Sequence, residues 1–254
     1  MRDKVQSIIK NYVRNYESVG KVETRWKEPI VAFADARDPM FNMLKEVVAP
    51  SHALPRDFMA DGKTVISYFL PFENYIPDSN IGGRKSSKTW AVAYVETNTL
   101  IASLNFHIKK EIEKLGYKAE LIPMALSFTP ENLKSDWSQR HVAYIAGLGK
   151  FGLNNMLITE KGCCGRVGTI ITDLEIEPTK RNQGEYCLYK AGKNCTRCIE
   201  SCINDALTEE KFYRDRCYEM CSENGERYKD LGSCEVCGKC LVGVPCSFVN
   251  PMKN

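Results

Sequence analysis

Cys195-Thr-Arg-Cys198-Ile-Glu-Ser-Cys202 and Cys234-Glu-Val-Cys237-Gly-Lys-Cys240-Leu-Val-Gly-Val-Pro-Cys246 are the two runs that decide what kind of chain this is. Ten of its twelve cysteines fall between Cys187 and Cys246. Thiols spaced two residues apart let one tight loop offer three corners of a tetrahedron, with a fourth ligand from elsewhere, as iron-sulfur clusters require. The first run reads as the later part of Cys-x-x-Cys-x-x-Cys-x-x-x-Cys. Gly192 stands where its first cysteine belongs, and Cys187 is the nearest replacement. Where two such runs occur, the fourth cysteine of each serves the other cluster. One 4Fe-4S cluster is therefore expected on Cys187, Cys195, Cys198 and Cys246, and a second on Cys202, Cys234, Cys237 and Cys240. Cys217 and Cys221, four apart on an expected helix, are alternatives to Cys187 or Cys240.

Zinc also takes Cys-x-x-Cys pairs, but its modules use two separate pairs rather than triplet runs. A disulfide framework belongs to small secreted domains, and the opening Met-Arg-Asp-Lys has no charged-then-apolar export pattern. Reduced thiols in a cytoplasmic, metal-bound setting are expected. Apolar residues at 43% and charged residues at 26% are ordinary for a globular chain. No apolar stretch approaches the ~20 residues of a membrane span. A net charge of +3 permits an RNA partner without requiring one.

Outward from the cysteines, residues 1–180 read as one α/β domain and residues 181–254 as a separate cysteine-rich module packed against it. Helical spacing of Val5, Ile8, Ile9 and Tyr12 predicts a helix over Asp3 to Val13. Ile30 to Ala34 and Thr64 to Leu70 predict strands, and the loop from Pro77 to Ser87 is expected to be polar and exposed. Leu100, Leu104, Ile108 and Ile112 form one stripe of a long helix over Thr89 to Leu115, closed by Gly116 and followed by a strand from Ala119 to Met124. A helix around Val142 and Ile145 runs into a glycine turn, and strands over Met156 to Thr159 and Val167 to Leu174 close the domain.

Gly147-Leu-Gly149-Lys-Phe-Gly152 satisfies the pattern G-x-G-x-x-G. A dinucleotide site needs a strand before these glycines and a helix after them. Here a helix precedes and a strand follows, so a nucleotide role is not expected. The glycines still allow close backbone approach to something bulky.

Ala146-Gly-Leu-Gly-Lys-Phe-Gly-Leu-Asn-Asn-Met-Leu-Ile-Thr159, then Gly168-Thr-Ile-Ile-Thr-Asp-Leu174, then Cys-x-x-Cys-x-x-x-Cys resembles the epoxyqueuosine reductases and, more distantly, the reductive dehalogenases. The likeness runs from about Thr64 to Cys246, and the order of the blocks carries it. It implies an α/β, nitroreductase-like domain that binds cobalamin, with a C-terminal double-cluster ferredoxin-like module. Electrons from reduced ferredoxin or flavodoxin would pass through both clusters to cobalt and on to a substrate, in an oxygen-sensitive oxidoreductase. The motif Asp-x-His-x-x-Gly that supplies an axial histidine is absent, in keeping with a corrin held base-off. Gly147, Leu148, Gly149, Phe151, Gly152 and Asn155 are the expected lining of that corrin.

The family carries an Asp-Ser-Ala-Pro-type stretch whose aspartate gives a proton. This chain has Asp136-Trp-Ser-Gln139 about three residues nearer the glycines. Asp136 is the candidate acid, or else a helix N-cap; His141 and Tyr144, one turn apart, are alternative donors. Lys190, Lys193 and Arg197 are candidates for docking an acidic electron donor. The adjacent Cys163 and Cys164 have no derivable role. The substrate is a tRNA base, a small molecule or another corrinoid protein. Rival readings are an electron-transfer or corrinoid-activating protein, or a flavin enzyme.

Overall fold

The computed structural model describes residues 1–123 and 133–253. Its elements are α1 (Arg2–Val19), β1 (Ile30–Asp35), α2 (Met40–Val47), α3 (Pro55–Phe58), β2 (Thr64–Pro71), α4 (Tyr75–Ser79), α5 (Lys88–Lys114), β3 (Ala119–Leu121), α6 (Gln139–Ile145), β4 (Gly149–Phe151), β5 (Leu157–Thr159), β6 (Gly165–Thr172), α7 (Arg197–Glu200) and α8 (Arg214–Arg227). The principal sheet runs β1-β2-β6-β3, every pair antiparallel, and β4 pairs with β5 apart from it.

Every position of β2 is buried, because both faces of the sheet are covered. Alternation along the strand sorts its side chains: Ile66, Tyr68 and Leu70 enter one core beneath α1 and α5, while Val65 and Phe69 enter a second beneath α2 and α6. Leu100, Leu104, Ile108 and Ile112 on α5 are fully buried against the first core. The helix begins where the Ser87 hydroxyl accepts from Trp90 N at 3.0 Å.

Several expectations are corrected. α1 continues six residues beyond Val13, where Tyr16 packs against the core. The loop after Pro77 is not wholly exposed. α4 takes its first residues, and Asn80 is fully buried, its amide donating to Cys237 O and accepting from Ser87 N, both at 2.9 Å. β3 ends at Leu121, and Met124, the expected end of that strand, lies outside the described residues. β6 begins two residues earlier than expected and stops at Thr172. The glycine segment itself holds a short strand, β4, after helix α6, so the order is helix, turn, strand.

The cysteine-rich end is mortised to the sheet by backbone contacts. Cys163 N donates to Cys246 O at 3.0 Å and Cys164 N to Ser247 O at 3.1 Å. Gly162, at φ +77°, leaves no room for a side chain: a Cβ there would lie 2.3 Å from Ser247 O. Gly238, at φ +74°, lies flat against the Trp90 ring, where a Cβ would come within 2.4 Å. Lys239 is buried, its ammonium donating to Asn80 O at 2.9 Å and Gly82 O at 2.6 Å. Cys187, Cys234, Val236, Leu241 and Val242 join the first core directly.

Candidate metal and cofactor site

All twelve cysteines are free thiols. Cys187, Cys195, Cys198 and Cys246 line one narrow pocket, walled by Gly152, Leu153, Asn154, Val244 and Pro245. Burial, followed by the neighbouring Cys246, Cys187 and Cys195, pushes the Cys198 thiol up to about 12. A second group surrounds Cys240, whose thiol is raised by burial and then by Cys237, Cys217, Cys202 and Cys198. The two groups abut: Cys198, Cys202, Cys240 and Cys246 pack together around Leu207 and Val244. Buried thiols that resist ionising on their own become thiolates when a metal supplies the positive charge. Among the described residues no three His, Cys, Asp or Glu side chains converge to hold one metal ion.

Cys234 stands apart from the second group. It is buried, its Sγ donates to Ala91 O at 3.6 Å, and the charges acting on it are those of Glu235 and Arg166. Helix α8 instead brings Cys217 and Cys221 to Cys237 and Cys240. The Cys221 thiol donates to Cys217, which lowers Cys217 and raises Cys221, and Arg140 adds to the lowering. Sequence spacing weighed these two as substitutes for Cys187 or Cys240; the fold sets them beside the place allotted to Cys234.

Beside the thiols lies an open cleft of about 340 Å³. Phe69, Trp137, Leu157 and Val167 form its apolar lining, and Ser135, Ser138, Gln139, Arg140 and Arg166 bring polar groups to it. Through Met156, Gly165 and Arg166 it meets a second hollow of about 150 Å³, lined by Trp90, Tyr94, Cys237 and Gly238. Cys237 of the second thiol group lines the smaller hollow, and Cys163, which lines the larger one, touches Cys246 of the first group through its thiol. Cys163 and Cys164 are buried rather than exposed, and Cys164 Sγ donates to Leu241 O at 3.2 Å.

The segment entering α6 is held rigidly. Trp137 is buried and donates from its indole to Thr169 Oγ1 at 3.0 Å. His52, fully buried, accepts from Ser138 N at 3.0 Å through Nε2 and shares a 2.7 Å bond with Ala53 O through Nδ1, which assigns the proton to Nδ1. Asp136 does not cap α6, whose N-cap is Ser138; its carboxylate accepts from Ser51 at 2.6 Å, and it is not part of the cleft lining. His141 bonds Ser138 Oγ at 2.7 Å and leans on Phe151, with ring centres 4.7 Å apart. Burial and the nearby Arg140 charge lower it to about 4, so it is neutral at pH 7. Tyr144 also faces Phe151, with the Lys150 ammonium 5.2 Å above its ring.

Of the expected corrin-lining residues, Gly152 belongs to the first thiol pocket and Gly149 is pressed against Ile158 in the β4–β5 pair. Gly147 lies near Thr179 and Arg181, Leu148 is in the second core, and Phe151 faces α6. Asn155 gives its carbonyl to Arg140. The residues that line the cleft, Arg140 and Arg166 foremost, carried no sequence signal beyond being basic residues close to the quoted blocks.

No family model matches the chain. It superposes on the Bacillus subtilis epoxyqueuosine reductase, solved with an aspartate-bearing catalytic loop swung out of its active site, over 96% of its length with a TM-score of 0.59 and 16% identity. The fold is that of the epoxyqueuosine reductases. A second epoxyqueuosine reductase, solved with an epoxyqueuosine-modified tRNA-Tyr stem loop, matches over 96% of this chain with a TM-score of 0.58 and 17% identity. A catabolic reductive dehalogenase matches over 88% with a TM-score of 0.56 and 16% identity. In sequence, a tetrachloroethene reductive dehalogenase of Desulfitobacterium hafniense is 37% identical over 114 residues. The chain spans 66% of the epoxyqueuosine reductases, 30% of the catabolic dehalogenase and 20% of the Desulfitobacterium protein.

Proposed function

We propose that the chain is an oxidoreductase of the epoxyqueuosine reductase kind, with two 4Fe-4S clusters in residues 181–254 and cobalamin in a nitroreductase-like domain formed by residues 1–180. The observation that supports this reading is two abutting free-thiol groups beside one open cleft, the second group reaching it through Cys237 and the first through the contact of Cys246 with Cys163. Cys187, Cys195, Cys198 and Cys246 would hold one cluster. Cys202, Cys237, Cys240 and one of Cys217 and Cys221 would hold the other, leaving Cys234 as a buried thiol. The cleft's aromatic and aliphatic lining, with hydroxyl, amide and guanidinium groups, suits a flat macrocycle fringed with carboxamides. When bound, the clusters supply one-electron transfer and the corrinoid a strongly reducing cobalt centre.

The chain's own residues position and shield. Trp137, Phe69 and Leu157 exclude water from the cleft, while Gln139 and the arginines orient what enters. Asp136 sits between Ser135 and Trp137, which line the cleft, and is the proposed proton donor once its bond to Ser51 opens. Burial of the thiol sites and hydrogen bonds to sulfur set how reducing they become. Lys190, Lys193 and Arg197, all exposed, would receive an acidic donor such as reduced ferredoxin or flavodoxin. No described helix is long and apolar enough to cross a membrane, and a cytoplasmic setting with a tRNA base as substrate is the proposal that the tRNA-bound neighbour supports.

A second reading, an electron-transfer or corrinoid-activating protein without substrate chemistry of its own, is favoured by one observation: none of Asp136, His141 and Tyr144 lines the cleft. Anaerobic purification with iron, sulfide and cobalt analysis, followed by cobalamin titration, tests both. About eight iron per chain with stoichiometric corrin uptake is expected; eight iron without uptake sinks the reductase and leaves the electron carrier. Restoration of queuosine in a reductase-deficient strain, lost in Asp136→Asn, tests the tRNA substrate.

A further inference from the structure

We infer that the cleft contains an anion subsite in which the guanidinium groups of Arg140 and Arg166 receive a phosphate or carboxylate group. The inference rests on the cleft being the reaction site and adds the chemical class of what it accepts.

Both arginines line the larger hollow, which no aspartate or glutamate lines with them; Glu235 lines the smaller hollow that Arg166 also borders and forms no ion pair with it. Elsewhere the chain neutralises its arginines: Arg181 meets Asp38 at 2.6 Å, Arg84 meets Glu223 at 3.1 Å, and Arg197 meets Glu200 at 2.7 Å. Among the described residues neither Arg140 nor Arg166 has such a partner, nor does Arg214, whose charge also acts on Arg140. Arg166 is stacked on the Tyr94 ring, 4.1 Å from its centre, and its Nε is buried without a hydrogen-bond partner. Arg140 spends Nη1 on Asn155 O at 2.8 Å and on Met156 Sδ at 2.9 Å, which ties its stem to the cleft wall.

Like charges gathered along one cleft repel each other in the empty protein, and an anion between them relieves that repulsion. Guanidinium groups match carboxylate and phosphate oxygens two at a time, which makes the pair selective for these groups over neutral ligands. Cys217 and Cys240 also approach Arg140 and would offer negative charge as cluster ligands, so the cluster-loaded protein is the form to test. The anion has two possible sources, the phosphodiester of a bound corrinoid and an acidic substrate.

Cluster-loaded protein in Tris buffer is titrated with inorganic phosphate by calorimetry, with and without cobalamin. Saturable binding is expected, weakened about tenfold or more by Arg140→Gln and by Arg166→Gln and unchanged by Arg37→Gln, which lies in a separate hollow beside α2. Phosphate that still binds after cobalamin loading marks an anionic substrate; phosphate displaced by cobalamin marks the cofactor's own phosphodiester. Absence of saturable binding to the wild type, or unaltered affinity in both folded variants, overturns the subsite. Arginine-dependent phosphate binding in a protein that takes up no cobalamin leaves the subsite standing and removes the corrinoid reading.

Discussion

The sheet region and the cysteine-rich end are built by different means. Around β2 and α5, long elements hide whole apolar stripes, and backbone groups pair within strands and helices. Beyond residue 180 the regular elements are the four-residue α7, the 14-residue α8 and two short 3-10 turns, and the separate apolar cluster there rests on Cys198, Leu207 and Val244. That end is held instead by polar bonds such as Ser86 N to Asn224 Oδ1 at 3.0 Å and by contact with the sheet. One region stores its stability in buried hydrocarbon; the other leans on its neighbour and, under the proposed reading, would depend on metal as well.

Stripping iron by chelation under reducing conditions should break the comparison most sharply. We expect residues 181–254 to become protease-sensitive, with a loss of order 10 kcal/mol for that region, while the sheet core resists digestion. Cys198→Ala is expected to remove about half the iron, whereas Cys234→Ala retains all of it; an iron loss with Cys234→Ala would restore Cys234 to the ligand set.

In the sheet region, Leu104→Ala should cost about 2–5 kcal/mol in denaturant unfolding with the iron content of the folded protein unchanged. At the seam, Gly238→Ala adds a Cβ against the Trp90 ring at positive φ, and a loss of about 2–3 kcal/mol should appear first as faster proteolysis of the cysteine-rich end.

The smallest effect is expected from pH. His141 is held at about 4, below its ordinary value of 6.5, so the unfolded chain takes the proton first as pH falls. Stability is undiminished above pH 6.5 and declines between 6.5 and about 4. The share of His141, reduced by its partial exposure, is about 1 kcal/mol and should vanish in His141→Gln; a slope that persists in full assigns it to other groups, among them the buried His52.

The elements legible beforehand are those with a strong period. The α5 stripe and the β2 run are legible to within a residue or two, because burial on one face or on both leaves a repeating apolar mark. β4 is not legible, since three residues around glycines carry no period. Asn80 is not legible as a buried residue; a polar side chain that satisfies two buried backbone groups looks in sequence like any exposed asparagine. The resemblance to the epoxyqueuosine reductases was legible from the order of blocks, and the fold bears it out. Arg140 and Arg166, 26 positions apart in the chain, reveal their shared cleft only once α6 and β6 pack together.

Sequence alone determined the thiol runs: the spacing within each follows from the short reach of one loop, and that is a local property that points to the proposed cluster chemistry. Which thiols meet across the runs, that Cys234 turns inward to Ala91 while α8 delivers Cys217 and Cys221, and which charges face the cleft were decided by tertiary packing. These are contacts between residues distant along the chain, and their geometry exists only after two cores and a helix have closed around them.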